Sequence, residues 1–317
     1  MASLIEIKNL KKYFGTSRGT VHAVDDVTFK IEEGSTMGLV GESGCGKSTL
    51  GRTLIHLLES TDGQIIFNGE DVTHLKKHEL KKLRENMQMI FQDPFSSLNP
   101  RMTVKETVQE PLLLSGKYRK AELENVTYRL MERVGIEKRF QYSYPHELDG
   151  GRRQRVGIAR ALAVNPKFIV CDEPVSALDV SIQAQILNLL MDLQKEENLT
   201  YLFVTHDLSV VRHISDFICV MYLGQLVETG PTKEFFNHQF HPYSRALLSA
   251  VPSANIHQRR ERIILKGEIT SPINPKPGCR FAPRCPHACE RCLQPQQLEE
   301  VTPGRFVSCC RAKELVD

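Results

Sequence analysis

Five short apolar runs punctuate the chain: TMGLVG at 36–41, QMIFQD at 88–93, FIVCDEP at 168–174, YLFVTHD at 201–207 and FICVMYL at 217–223. Each has the length of a strand, and runs this uniformly apolar suit a parallel sheet covered on both faces. Between the third and fourth runs, Ile182, Ile186, Leu189, Leu190 and Leu193 recur at helical spacing, which predicts a helix with one face packed on that sheet. Residues 95–165 carry few strand-like runs, and VKETVQEPLLL and RKAELENVTYRLMERVG read as helices of an insertion. From Ser271 onward the pattern fails: that stretch holds seven of the 16 prolines and six of the nine cysteines. It is expected to build no regular core and to need a metal or a partner to order it.

At 317 residues the chain exceeds what one core usually supports, so a main domain with smaller units is expected. The formal net charge of +3, without a basic stripe interleaved with aromatics, argues against nucleic acid as a partner. No stretch has the character of a signal peptide or a membrane-spanning helix, so a cytosolic protein is expected, reaching a membrane only through a partner. In that reducing setting the cysteines clustered between Cys279 and Cys310 suggest ligation rather than disulfides.

GESGCGKS satisfies G-x-x-x-x-G-K-[ST] between a predicted strand and a helix expected over Ser48 to Leu58. Backbone N–H groups of Gly41, Glu42, Ser43, Gly44, Cys45 and Gly46 can cradle phosphates. Lys47 reaches the outer ones, and at the helix start Ser48, followed by Thr49, can ligate magnesium. A phosphate loop needs a second strand that ends in an acid. FIVCDE supplies Asp172 to support the metal and Glu173 to orient or deprotonate the attacking water.

With these motifs in place, the chain resembles the ATP-binding subunits of ABC transporters nearly end to end. The resemblance assigns Tyr13 to adenine stacking, Gln92 in IFQDP to the glutamine loop, LDGGRRQR to the signature with Asp149, Gly150 and Gly151, SALD ending at Asp179 to the D-loop, and His206 to the switch histidine. Each has a plainer alternative: a core tyrosine, a polar loop residue, a structural or solvated histidine. Gln92 follows a predicted strand, where its amide could also touch magnesium. The implied fold is an α/β P-loop NTPase of ABC type. It has a mostly parallel core sheet, an antiparallel N-terminal β subdomain, a helical subdomain and a Cys/Pro-rich C-terminal extension. The nucleotide-binding core is expected over 1–94 and 166–250, the helical subdomain over 95–165 and the extension over 251–317.

IFQDPFSSLNPRMTV, HPYSRALLSAVP and SPINPKPGCRFAPRC resemble the oligopeptide, dipeptide and nickel import branch, and in particular the second ATPase of such an operon. The resemblance implies ATP hydrolysis to ADP and phosphate, with ATP and Mg2+ as cofactors, coupled to peptide import from the cytoplasmic face of the membrane. The implied partners are a second, non-identical ATPase, two permeases gripped by the helical insertion, and an extracytoplasmic solute-binding protein. Nickel or metal-chelate import is the alternative solute. A soluble non-transport ABC ATPase and a mainly regulatory subunit are the alternative classes.

The tail also resembles the iron-sulfur motif of some of these subunits. Cys279, Cys285, Cys292 and Cys309 match C-x5-C-x6-C-x16-C and imply one 4Fe-4S cluster, with zinc and unligated thiols as the alternatives and Cys289 and Cys310 spare. HELDGGRRQR departs from the family pattern. Asp149 and Arg152 stand where serine and glutamine are usual, placing a carboxylate where a hydroxyl meets the γ-phosphate bound to the opposing subunit. The expectation is an asymmetric dimer whose second site turns over slowly, with Arg152 offsetting part of the repulsion.

Overall fold

The computed structural model describes residues 3–251, 262–265, 267 and 271–315. Its elements begin with β1 (Ser3–Thr16), β2 (Gly19–Glu32), β3 (Thr36–Val40), α1 (Lys47–Leu54), β4 (Asp62–Phe67) and β5 (Glu70–Asp71). Next come α2 (Lys77–Asn86), β6 (Met87–Ile90), α3 (Pro94–Ser97), α4 (Val104–Ser115), α5 (Lys120–Arg133), α6 (Gly150–Leu162), β7 (Phe168–Asp172) and α7 (Val180–Glu197). The chain closes with β8 (Thr200–Thr205), α8 (Leu208–Ile214), β9 (Phe217–Tyr222), β10 (Gln225–Pro231), α9 (Thr232–Asn237), α10 (Pro242–Ser249), β11 (Glu299–Thr302) and β12 (Arg305–Val307). Two units form, Met1–His74 with Phe203–Asp317, and Leu75–Leu202.

In the first unit, β1, β2, β4 and β5 make an antiparallel sheet in the order β2-β1-β4-β5. Ile5, Ile7 and Leu10 of β1 face Val27, Phe29 and Ile31 of β2 as a buried apolar set, and repeated register shifts bend the pair. A second sheet runs β11-β12-β10-β9-β3, with β3 parallel to β9 and the remaining pairs antiparallel. All five residues of β3 are buried, as its continuous apolar run requires.

The cysteine-rich tail does more than its composition suggested. β12 pairs with β10 through Glu228↔Val307 and Thr229↔Phe306. Phe281 is 1% exposed and lies 5.3 Å from both the Tyr222 and Tyr243 rings. Arg305 and Glu228 form a buried ion pair at 2.8 Å. The expectation of no regular core fails here because the prolines occupy connections, while the few apolar side chains join a core that β9, β10 and α10 already supply.

In the second unit, β6 and β7 pair in parallel from Met87↔Phe168 to Ile90↔Cys171. The insertion is helical, as its pattern implied, and α4 starts with a capping box between Thr103 and Glu106. On α7 the buried face is Ile186, Leu187, Leu190 and Leu193, whereas Ile182 and Leu189 are only half-buried. The stripe is thus turned slightly from the expected one. In the first unit, α1 ends at Leu54 rather than Leu58: His56 adopts φ 56°, and the Leu57 and Leu58 N–H groups both turn back to the Arg52 carbonyl. Among the described residues no helix is long and apolar enough to cross a membrane.

Candidate functional site

The phosphate loop joins β3 to α1 in the first unit. A Cβ at Gly46, whose φ is 108°, would lie 1.9 Å from the Ala23 carbonyl oxygen, so only glycine lets the backbone turn into the helix there. Gly41 is excluded from other residue types by the Met221 carbonyl, 2.2 Å from its ideal Cβ. Lys47 is 4% exposed, and its ammonium donates to the Gly41 and Glu42 carbonyls at 2.8 and 3.0 Å. A buried ammonium is costly unless satisfied, and the loop's own carbonyls satisfy it. Cys45 is buried beside it, its thiol raised by desolvation and partly drawn back by the Lys47 charge. Ser43 and Gly44 are exposed at the tip, and Ser48 and Thr49 are half-buried in the first turn of α1.

Tyr13 pairs across strands with His22, and the two rings stack at 4.0 Å. One face of Tyr13 is thereby covered. Its hydroxyl donates to Asp25, and burial followed by this bond raises its pKa. Although burial pushes the Asp25 carboxyl up, the Tyr13 hydroxyl, His22 and Arg280 together hold it below its ordinary value. His206 follows β8 and is exposed, just before Asp207, which caps α8 by accepting the Ser209 N–H at 2.7 Å.

The acids belong to the second unit. Asp172 closes β7 with no exposed surface, and half-buried Glu173 follows it with φ 47°. A left-handed backbone at a glutamate is a strained conformation, of the kind that concentrates at working sites. Gln92 donates from Nε2 to Glu173 Oε2 at 2.9 Å. The glutamine expected to meet magnesium or water thus holds the glutamate in this structure. Asp179 precedes α7, and its carbonyl accepts the Gln183 N–H at 2.8 Å.

HELDGGRRQR is a capped helix start. Asp149 is the N-cap of α6, accepting the Arg152 N–H at 2.7 Å, and its other oxygen pairs with the Arg152 guanidinium. Side chains pack closely on both glycines: a Cβ on Gly151 would lie 2.8 Å from Ile182 of α7, and one on Gly150 3.1 Å from Leu178. Of the basic residues, Arg155 donates to the Val134 carbonyl at 2.7 Å, and Arg153 lies over the Phe95 ring.

In the tail the tightest group is Cys289, Cys292 and Cys310, with Sγ separations of 3.8 to 3.9 Å. Cys292 belongs to the set that the resemblance implied, and the other two were the spare thiols. Cys279, Cys285 and Cys309 are outside that triad but close to it electrostatically. Burial pushes Cys279 up to about 11, with Cys292 and Cys309 adding to the shift, and burial also raises Cys285 and Cys309, both of which sense Cys292. Such crowding of thiols disfavours thiolates unless a cation is present.

Several residues at the phosphate loop carry no signal in the sequence. Tyr243 of α10 accepts the Glu42 N–H at 2.9 Å. Arg284 grips the Glu42 carboxylate with both terminal nitrogens, at 2.7 and 3.1 Å. Arg280 pairs with Asp25. Their partners stand some 200 residues or more away along the chain, beyond the reach of any local pattern.

A family described as ABC transporter matches residues 24–176, and the oligopeptide/dipeptide transporter C-terminal region matches residues 227–292. The oligopeptide transport ATP-binding protein AppF of Bacillus subtilis (strain 168) is 50% identical over 318 residues, spanning 97% of either chain. OppF of the same organism, also an oligopeptide transport ATP-binding protein, is 51% identical over 314 residues, 98% of this chain and 97% of that one. Among solved structures, the dimeric post-hydrolysis state of the ATP-binding cassette MJ0796 bound to ADP and Pi superposes with TM-score 0.67 at 31% identity, covering 72% of this chain and 98% of that chain. CbiO1 from Clostridium perfringens, part of the ABC transporter complex cbiONQ, gives TM-score 0.67 at 29% identity, covering 75% and 92%.

Proposed function

The chain belongs to the ABC transporter ATP-binding proteins, and on that premise we propose that it hydrolyses ATP to ADP and phosphate to drive peptide uptake through partner permeases. The observation that carries this is the phosphate loop, with Lys47 buried among backbone groups between β3 and α1. The ammonium and the N–H groups of the loop suit the outer phosphates, and Tyr13 offers a ring face to adenine. Ser48 and the buried Asp172 bring hard oxygen donors of the kind magnesium prefers, with Gln92 as a further candidate. When bound, magnesium neutralises charge on the phosphate oxygens. Glu173, steadied by Gln92, takes a proton from the attacking water, and His206 contacts the outermost phosphate. In ATPase assays of the assembled transporter, Lys47→Ala should abolish turnover by weakening ATP binding, and Glu173→Gln should keep binding while losing turnover. Wild-type turnover in either stably folded variant would overturn the assignment.

In the assembly we propose, residues 1–94 and 166–250 act as the nucleotide-binding core. Residues 95–165 dock on the permease, and 251–317 form the extension. The chain sits peripherally on the cytoplasmic face of the membrane, two permeases and an extracytoplasmic binding protein completing the importer. The paired ATPase is a second, non-identical subunit. Asp149 supports this, since an acid in the signature weakens one of two composite sites and a dimer of identical chains would weaken both.

The tail is proposed as a metal centre. Cys279, Cys285 and Cys309, each of which senses Cys292, suit together with it a 4Fe-4S cluster. The second reading, a single zinc ion, is favoured by the triad of Cys289, Cys292 and Cys310. Zn–S bonds of about 2.3 Å in tetrahedral geometry set the sulfurs ~3.8 Å apart, against the observed 3.8 to 3.9 Å. Iron, sulfide and zinc analysis of anaerobically purified protein separates the two readings. The cluster requires about four iron and four sulfide per chain.

A further inference from the structure

The tail that carries the cysteines runs back along the nucleotide loop. Pro272 accepts the His22 N–H at 3.0 Å, Asn274 exchanges backbone and side-chain bonds with Thr20, and Ile273 bridges Val21. These contacts bring the tail beside the strand that holds His22 and Asp25. A cavity of about 270 Å³ remains between tail and loop, walled by Glu42 to Cys45, Tyr222, Leu223, Ser271 and Pro272. Two arginines fasten the arrangement. Arg280, with 8% of its side chain exposed, bonds to the Leu223 carbonyl and to Asp25, the same carboxylate that receives the Tyr13 hydroxyl. Arg284, 9% exposed, holds Glu42 in bidentate fashion and approaches the Tyr222 hydroxyl at 3.4 Å.

We propose that Arg280 and Arg284 are positioning residues for ATP, Arg280 setting Tyr13 through Asp25 and Arg284 setting the phosphate loop through Glu42. The proposal deepens the ATP-site reading and rests on it. The two arginines act by different physics. Glu42 is a carboxylate inside a loop whose purpose is to hold anions, so without the Arg284 charge it repels the incoming phosphates. The Asp25 side chain is 13% exposed, and the Arg280 guanidinium pairs with it beside the Tyr13 hydroxyl and the His22 ring. Without that charge the carboxylate loses its reason to stay buried, and the Tyr13 ring loses its tether. Cys279 and Cys285 adjoin these arginines in sequence, so the clamp and the cysteine group share one segment of the tail.

The test is calorimetric titration of the purified full-length chain with MgATP and, separately, with tripolyphosphate, alongside melting temperatures. Arg284→Gln is expected to weaken both ligands about tenfold, the loss associated with one charge-assisted contact. The double change Arg284→Gln with Glu42→Gln should recover most of that loss, because it removes the stranded charge as well. Arg280→Gln should weaken MgATP while leaving tripolyphosphate within about twofold, and Arg280→Lys should restore part of the difference. Wild-type affinities in folded variants would overturn the proposal. So would equal weakening of both ligands by Arg280→Gln, or failure of the Glu42→Gln rescue, since each is what general loosening of the fold predicts. Lys47→Ala is the control: if it binds both ligands like wild type, the ATP-site reading fails and this proposal with it. If Lys47→Ala loses binding while the arginine variants keep it, only this proposal falls.

Discussion

Replacing Asp149 by serine separates two roles that one side chain combines. As the N-cap of α6 it accepts the Arg152 N–H at 2.7 Å. Serine caps about as well as aspartate, so that bond has a successor. The ion pair with the Arg152 guanidinium is lost, but the two side chains are 54% and 40% exposed. Exposed pairs of this kind contribute only about 0–1 kcal/mol, a shift of roughly 2–4 °C in melting temperature at most. The effect on nucleotide is larger. A phosphate oxygen brought about 4 Å from the carboxylate meets ~1 kcal/mol of repulsion in water and ~4 kcal/mol at an effective dielectric near 20. Because the Arg152 guanidinium sits on the same carboxylate, the expected gain lies toward the lower figure, ~1–2 kcal/mol, or about five- to thirtyfold in affinity at the facing site. The assay is ATP turnover by the assembled transporter at subsaturating ATP in a Glu173→Gln background, where this chain's own base is absent. Turnover from the facing site should rise by that factor. An unchanged rate with an unchanged melting temperature would refute the idea that the acid weakens the second site.

Phe281→Ala removes a ring that is 1% exposed between Tyr222 and Tyr243, and large-to-small changes of this kind cost about 3–5 kcal/mol, measurable by denaturant unfolding. A loss under ~1 kcal/mol would mean that the tail is not part of this core. Burial holds the imidazole of His241 near a pKa of about 3, and its Nδ1 accepts the Tyr243 N–H at 3.1 Å. The unfolded chain protonates it below about 6.5 while the folded chain does not, so its stabilising effect is complete above that pH. It declines by up to ~1.4 kcal/mol per unit as pH falls toward 3. His241→Asn should flatten the dependence of unfolding free energy between roughly pH 6.5 and 5, and an unchanged slope would contradict it. Replacing Cys292 by serine removes the one thiol common to both metal arrangements and should abolish bound metal. Cys289→Ser should do so only if the triad is the site.

The motifs were legible because each is local: a strand, a glycine turn and a helix for Lys47, and a strand ending in Asp172 and Glu173, whereas the N-cap role of Asp149 came only with the structure. Strand runs were found because parallel strands buried on both faces are continuously apolar. β1 and β2 escaped the pattern, since register shifts at Asn9 and Asp26, both with positive φ, interrupt their alternation. The helix after the phosphate loop was drawn too long because nothing in HLLES announces the left-handed turn at His56. What could not be read at all is the tail's hold on the loop. Arg280 and Arg284 look like two basic residues in a cysteine motif until the fold brings Asp25 and Glu42 to them.

Peptide uptake tests the central claim most directly. Proteoliposomes containing the two permeases, the partner ATPase and this chain, given the binding protein and a labelled oligopeptide on one side and MgATP on the other, should accumulate peptide. Glu173→Gln in this chain should bind ATP with wild-type affinity yet bring accumulation to background. Accumulation at the wild-type rate by that variant, with ATP binding and complex assembly intact, would contradict the account.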